Sequence, residues 1–325
     1  MDGILAVTYR CNSRCKMCYT WKYPSKKEDE IRPGNLFSLP KMVRLNITGG
    51  EPFLKEDLSD ILEVVKKKAK RVVISSNGLL TKKALDVMSK NRDVGIRISI
   101  DGIGETHDNI RGVKGAFKKA METLQGLKAL DIKDLGIAVT VSDKNAKDLV
   151  ALYRFAKENG VELATAILHN AYYFHKIDNI IVNKDQVQIG LQGLIAEFLK
   201  SSRPKDWFRA YFTQGLIDHM NGQQRSMKCS MGTDSFFIDP IGNVRPCNVL
   251  NHAFGNIRDK TFKEIWDSPE AQEARRKVDE CNYNCWMIGS VGHLMRQKFW
   301  IPLIWILQNK WSLKDKKLII IRKIL

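Results

Sequence analysis

Cys11, Cys15 and Cys18 stand in the run TYRCNSRCKMCYTW, spaced C-x3-C-x2-C directly after a short apolar stretch. This supplies three thiolates from one tight loop. Iron–sulfur cubes are held by cysteine thiolates, normally one per iron, so three would leave one iron free for a ligand other than protein. A closed structural metal site has no reason to stop at three. Zinc is the alternative, but its sites usually show paired C-x2-C knuckles or Cys/His mixtures. The nearest histidine, His107, is far along the chain. Disulfides fit less well. The stretch Met1 to Thr8 is strand-like and lacks the length and flanks of a secretory signal. Seven cysteines in 325 residues then point to a reducing cytoplasm, where such spacings mean metal or catalysis.

Positioning such a loop needs a scaffold. Apolar, β-branched runs recur at Ile4–Thr8, Val43–Thr48, Arg71–Ser76, Gly95–Ile100, Leu135–Val141 and Val161–Leu168. Amphipathic stretches lie between them near Leu58–Lys70, Lys82–Lys90, Ala116–Leu130 and Ala146–Glu158. The alternation argues for an α/β fold of parallel βα units. The informative residues fall at strand C-terminal ends, where barrels of such units build their sites. Gly49-Gly50-Glu51-Pro52 follows the second strand and Ser75-Ser76-Asn77-Gly78 the third. Ser99-Ile100-Asp101-Gly102 follows the fourth, with HDNIRG at His107 to Gly112 behind it. Glycines without Cβ let the backbone approach a ligand. Ser99 and Asp101 alternate with Ile98 and Ile100, giving a polar face that can meet a ribose. Capped turns are the other reading of the serines.

C-x3-C-x2-C after a first strand, with GGEP after a second, is similar to the radical S-adenosylmethionine (SAM) superfamily. The resemblance implies a partial (β/α)6 TIM-like barrel and a [4Fe–4S] cluster on Cys11, Cys15 and Cys18. Its open iron would be chelated by the amino and carboxylate groups of SAM. Reductive cleavage would yield a 5′-deoxyadenosyl radical that abstracts hydrogen from a substrate, with the electron drawn from a flavodoxin- or ferredoxin-type donor. The implied SAM contacts are Gly49, Gly50, Glu51, Pro52, Ser76, Asn77, Ser99 and Asp101, with Arg111 on the carboxylate, where a bidentate guanidinium is favoured. Met17 stands where the family often has an aromatic residue.

Cys229, Cys247, Cys281 and Cys285 form a second constellation. Cys229 precedes a hairpin pattern: strand Ser235–Ile238, turn Asp239-Pro240-Ile241-Gly242-Asn243, then Val244 and Arg245 before Cys247. Pro and Gly suit the turn. A charged helical stretch then leads to Cys281 and Cys285. The pattern resembles the SPASM/twitch extensions of radical SAM enzymes: a small C-terminal β-hairpin plus helix around an auxiliary cluster. Four thiolates suffice for one fully ligated [4Fe–4S] cube, and a four-thiolate zinc site is the competitor. The expected organisation is a core barrel over 1–222, a cluster domain over 223–290 and a basic, Trp-rich tail over 291–325. A closed cluster would carry electrons, which favours net oxidation of the substrate.

The sixth strand ends in ILHNAYYFHK, which places His169, Asn170, Tyr172, Tyr173 and His175 near the barrel mouth. His169, His175 and Asp101 are the candidate acid–base groups. A packed loop with hydroxyls facing water is the competing reading. Peptide-modifying relatives often carry an N-terminal recognition domain, whereas this chain starts at its first strand. A small polar substrate, sugar-like or lipid-linked, is therefore favoured over a peptide maturase. A non-catalytic iron–sulfur or zinc protein that binds a partner is the remaining alternative.

The formal net charge is +17, which suits nucleic acid, an acidic membrane or phosphorylated substrates. No RNA-binding motif or aromatic platform accompanies it, which disfavours nucleic acid. Part of the excess, at Lys66 to Arg71, reads as a solvated helix end. The tail FWIPLIWILQNKWSLKDKKLIIIRKIL is too short in its apolar part to span a bilayer. Tryptophans beside lysines suit a peripheral membrane contact, and a helix folded over the barrel's open side is the other reading.

Overall fold

The computed structural model describes residues 1–312. Six strands run parallel: β1 (Asp2–Ala6), β2 (Met42–Thr48), β3 (Ala69–Ser76), β4 (Gly95–Ser99), β5 (Leu135–Val141) and β6 (Glu162–Ile167). Between them run α1 (Leu58–Lys66), α2 (Thr81–Ser89), α3 (Glu105–Arg111), α4 (Ala116–Ala129) and α5 (Leu149–Glu158). Leu45, Ile47, Ile74, Ile96, Ile98 and Ile137 are fully buried. Strands covered on both faces need such continuous apolar runs. This is the open, partial TIM-like barrel.

Two long helices follow, α6 (Lys184–Lys200) and α7 (Pro204–Met220), and α7 packs against β6. The hairpin strands β7 (Ser235–Ile238) and β8 (Asn243–Arg245) and the short β9 (Gly255–Asn256) come next. β7 pairs in parallel with β1, Ile4 opposite Phe237, so the strand order is β6-β5-β4-β3-β2-β1-β7-β8-β9. β1 is thus shared: it leads into the Cys11 loop and carries the hairpin that leads into Cys247. The chain finishes with α8 (Phe262–Trp266), α9 (Pro269–Asp279), α10 (Ile288–Gln297) and α11 (Trp300–Ser312).

The basic run at Lys66 to Arg71 departs from its expectation. α1 ends at Lys66, and Ala69 to Arg71 already belong to β3. Arg71 makes a 2.7 Å ion pair with Asp134 at the start of the β4–β5 pairing, and the partner lies 63 residues away, beyond the reach of local pattern. The tail divides: α11 packs on α6 and α7, and the rest of the expected segment, 313–325, lies outside the described residues. Among the described residues no helix is long and apolar enough to cross a membrane.

Candidate active site with two cysteine centres

Three elements grip the Cys11–Cys18 loop. The end of β2 runs beside Thr8–Arg10, with Gly50 N donating to Thr8 O at 2.6 Å and Glu51 N to Arg10 O at 2.8 Å. A Cβ on Gly49 would lie 2.7 Å from Thr8 O, and one on Gly50 would overlap the Arg10 carbonyl and sit 2.6 Å from Tyr9 O. The glycine pair therefore lets the cysteine loop's own backbone approach, besides facing the cavity. The C-terminus of α3 is the second grip. Arg14 N and the Ser13 hydroxyl both donate to Arg111 O at 3.0 Å. Gly112, at φ +65°, abuts Arg14, a conformation glycine adopts without strain. The segment after β6 is the third, with Tyr19 N donating to Phe174 O at 2.8 Å and Asn179 Nδ2 to Met17 O at 3.0 Å.

The three cysteines rim a cavity of ≈ 230 Å³. Gly49, Gly50, Ser76, Asn77, Ser99, Arg111 and His169 line it; Glu51, Pro52, Asp101 and His175 do not. Glu51 is fully buried behind the wall, accepting from Asn77 N at 2.7 Å, Ser76 Oγ at 2.9 Å and Phe53 N at 3.2 Å. Burial pushes its carboxyl up to about 7 against those hydrogen bonds. Pro52 opens the next turn. Asp101, fully buried, accepts from Thr140 N at 2.7 Å and pairs with Arg111 Nε at 2.6 Å. It is placed to hold Arg111 rather than to reach a substrate. Burial opposes the Arg111 charge, but Asp101 together with the Cys15 and Cys11 thiols outweighs it, raising its pKa above the ordinary value. His175 takes φ +50°, a turn conformation no local pattern announced, and its ring lies tilted against Tyr23 with centroids 4.7 Å apart.

Sequence reasoning missed a buried support. Glu30 accepts from Arg10 at 2.9 and 3.0 Å, from Ser25 at 2.7 Å and from Thr8, with Lys55 at 3.4 Å. Burial would raise the Glu30 pKa, but the hydrogen bonds from Arg10, Ser25 and Thr8 bring it below the usual value. Thr48 and Thr140 also line the cavity; each sits at the C-terminal end of its strand, the signal that could have found them.

Cys229, Cys247, Cys281 and Cys285 surround a second, far smaller cavity of ≈ 30 Å³ with Met231, Val249, Leu250 and Val278. Asn284, at φ +53°, accepts from Arg225 N at 2.8 Å and shapes the Cys281–Cys285 loop. Trp286 donates to Phe212 O at 2.8 Å and occupies the space left by Gly215, pinning the loop to α7. Burial pushes the Cys11 and Cys285 thiols up to about 12 and Cys247 to about 11. Metal must therefore displace protons when it binds.

Among the described residues no three Cys, His, Asp or Glu groups converge as a single-ion site. The thiols instead ring spaces, as a multinuclear cluster requires. The first centre fits a three-thiolate cluster with a small-molecule ligand. Arg111 Nη1 lies 3.7 Å from Cys15 Sγ, a positive charge beside an anionic cofactor. Trp21 Nε1, His169 Nε2 and the Tyr173 hydroxyl, all from residues that line the cavity, are buried with no hydrogen-bond partner among the described residues.

Two family models match this architecture: the radical SAM superfamily over residues 5–156 and the SPASM iron–sulfur cluster-binding domain over 229–286. The chain belongs to the radical SAM superfamily. Its cofactors are accordingly SAM, the [4Fe–4S] cluster that binds it and auxiliary iron–sulfur at the SPASM cysteines. An AdoMet-dependent heme synthase of Methanosarcina barkeri is 26% identical over 307 residues, covering 86% of this chain and 85% of that protein. The antilisterial bacteriocin subtilosin biosynthesis protein AlbA of Bacillus subtilis is also 26% identical, and the match spans 60% of its length. Among solved structures, native anSMEcpe with bound AdoMet and Cp18Cys peptide superposes with a TM-score of 0.63 at 20% identity, over 86% of this chain and 83% of that one. This last likeness bears on the fold. The chain is a radical SAM enzyme.

Proposed function

We propose that the enzyme is an oxidoreductase that acts on a small polar substrate and passes an electron from it to the auxiliary cluster. One observation carries this reading: the segment Leu168–Phe174 serves both centres. Leu168, His169, Tyr173 and Phe174 line the open cavity. The same segment donates from Tyr172 N to Val249 O at 3.2 Å and from Tyr173 N to Asn248 O at 3.1 Å, beside Cys247. When bound, SAM and its cluster supply a 5′-deoxyadenosyl radical, and the second cluster supplies an electron acceptor. The protein's part is to bind and orient. Arg111, held by Asp101, is placed for the SAM carboxylate, with Gly49, Gly50, Ser76, Asn77 and Ser99 around the rest of SAM.

His169 donates from Nδ1 to Ile167 O at 2.9 Å, which leaves the unpartnered Nε2 of this cavity-lining residue as the basic nitrogen. Burial lowers its pKa, which keeps it a neutral base for the proton that leaves with the second electron. Thr48 lies beside the Tyr173 hydroxyl, and both residues line the cavity, a hydroxyl pair for a substrate oxygen. The seven free thiols support a cytoplasmic setting with a flavodoxin- or ferredoxin-type donor. A second reading, peptide modification, draws on the likeness to AlbA.

Tyr173→Phe tests the proposal with candidate polyols, tetrapyrroles and peptides as substrates. Uncoupled 5′-deoxyadenosine formation should persist, while substrate-dependent product falls roughly tenfold through one lost hydrogen bond. Unchanged turnover, or a peptide as the only substrate that gains deuterium exchange with 5′-deoxyadenosine, overturns it.

A further inference from the structure

The helix α11 is apolar on two faces. Its inner face does the packing: Pro302 and Ile306 are buried, Trp305 meets Tyr211 at 5.7 Å, and Lys310 Nζ donates to Leu199 O at 2.7 Å on α6. Its outer face is apolar as well. Phe299, Trp300, Leu303, Ile304 and Leu307 are 37 to 54% exposed, and at 100° per residue they fall within one stripe. Water gains nothing from such a face, and five large apolar side chains in one exposed stripe mark an interaction site.

Charge decides the occupant. From Ile288 to the last residue the chain carries Lys298, Lys314, Lys316, Lys317, Arg322 and Lys323 against the single acid Asp315, besides Arg296, paired with Asp2, and Lys310, which turns inward. A partner protein would meet this patch with acids of its own at defined places. A lipid surface needs only what the sequence supplies: aromatic and aliphatic side chains to insert, with cations before and after them in the chain to meet headgroups. We infer that the outer face of α11 docks the enzyme on an anionic membrane surface, lying in the interface without crossing it.

The test is flotation of the full-length, cluster-loaded enzyme with vesicles of phosphatidylcholine alone or mixed with phosphatidylglycerol. The wild type should float with the anionic vesicles only and release in high salt, where surface charges are screened. Leu303→Glu with Ile304→Glu should weaken flotation by roughly tenfold or more per side chain. Both positions are exposed, so iron content, melting temperature and 5′-deoxyadenosine formation should match the wild type and show that the fold survives. Absence of flotation, equal flotation with neutral vesicles, or binding unchanged in the double variant overturns the inference. Concentration-dependent dimerisation abolished by the same variant, with no lipid binding, would assign the face to a second copy instead and overturn it too.

Discussion

The two cysteine centres use the same side chain for opposite ends. The first gathers three thiols from within eight residues, Cys11 to Cys18, at the rim of a ≈ 230 Å³ cavity walled by serines, asparagine and arginine together with Met17, Trp21, Leu168 and Phe174. The second gathers four thiols from three distant segments, Cys229, Cys247 and Cys281–Cys285, around ≈ 30 Å³ walled mainly by apolar side chains. A local loop leaves one side of its metal open to solvent and ligand. Ligands converging from three directions close it. Openness here follows from where in the chain the ligands arise, and the shared neighbours β1 and Leu168–Phe174 keep the two centres in one rigid setting.

The sharpest way to break the comparison is at Gly50. A methyl group there would collide with the Arg10 carbonyl, which is backbone and cannot swing away. Gly50→Ala should therefore displace the Cys11 loop while leaving β7, β8 and the second centre intact. Iron content is expected to fall to about half, from the roughly eight irons of two four-iron cubes, and SAM cleavage to be lost. Full iron with full SAM cleavage would show that the loop is not held through this contact.

A smaller effect concerns Glu51, which supports the same wall from behind. Its carboxyl rises from an unfolded value of 4.5 to about 7 through burial, so the folded state favours the protonated form. The associated stability is fully present below pH 4.5 and is lost as pH rises through 7. Melting temperatures of the wild type and of Glu51→Gln, compared across that window, should show the decline in the wild type alone. The amplitude is of order 3 kcal/mol. Parallel pH profiles would contradict the burial argument.

Much of this comparison was legible in the chain. The six βα strands, the hairpin at Ser235–Arg245 and both cysteine sets follow from local period, turn chemistry and spacing. What stayed hidden depends on partners far apart in sequence. β7 joins β1 across more than two hundred residues, so the expected separate cluster region shares one sheet with the barrel. Arg10, Glu30 and Lys55 form a buried network that no motif announces. Asp101 reads as an acid at a strand end, yet the turn into α3 brings Arg111 onto it. His169 and His175 look alike in the sequence, yet His175 itself takes a left-handed conformation and only His169 lines the cavity.

The most direct measurement is the electron paramagnetic resonance spectrum of the reduced enzyme with and without SAM, taken on two variants. One lacks the second set through Cys229→Ala, Cys247→Ala, Cys281→Ala and Cys285→Ala, and the other lacks the first through Cys11→Ala, Cys15→Ala and Cys18→Ala. A SAM-induced change of the cluster signal is expected when only the first set remains, and none when only the second remains. A SAM response carried by the second set, or by neither, would contradict the assignment of one open and one closed centre.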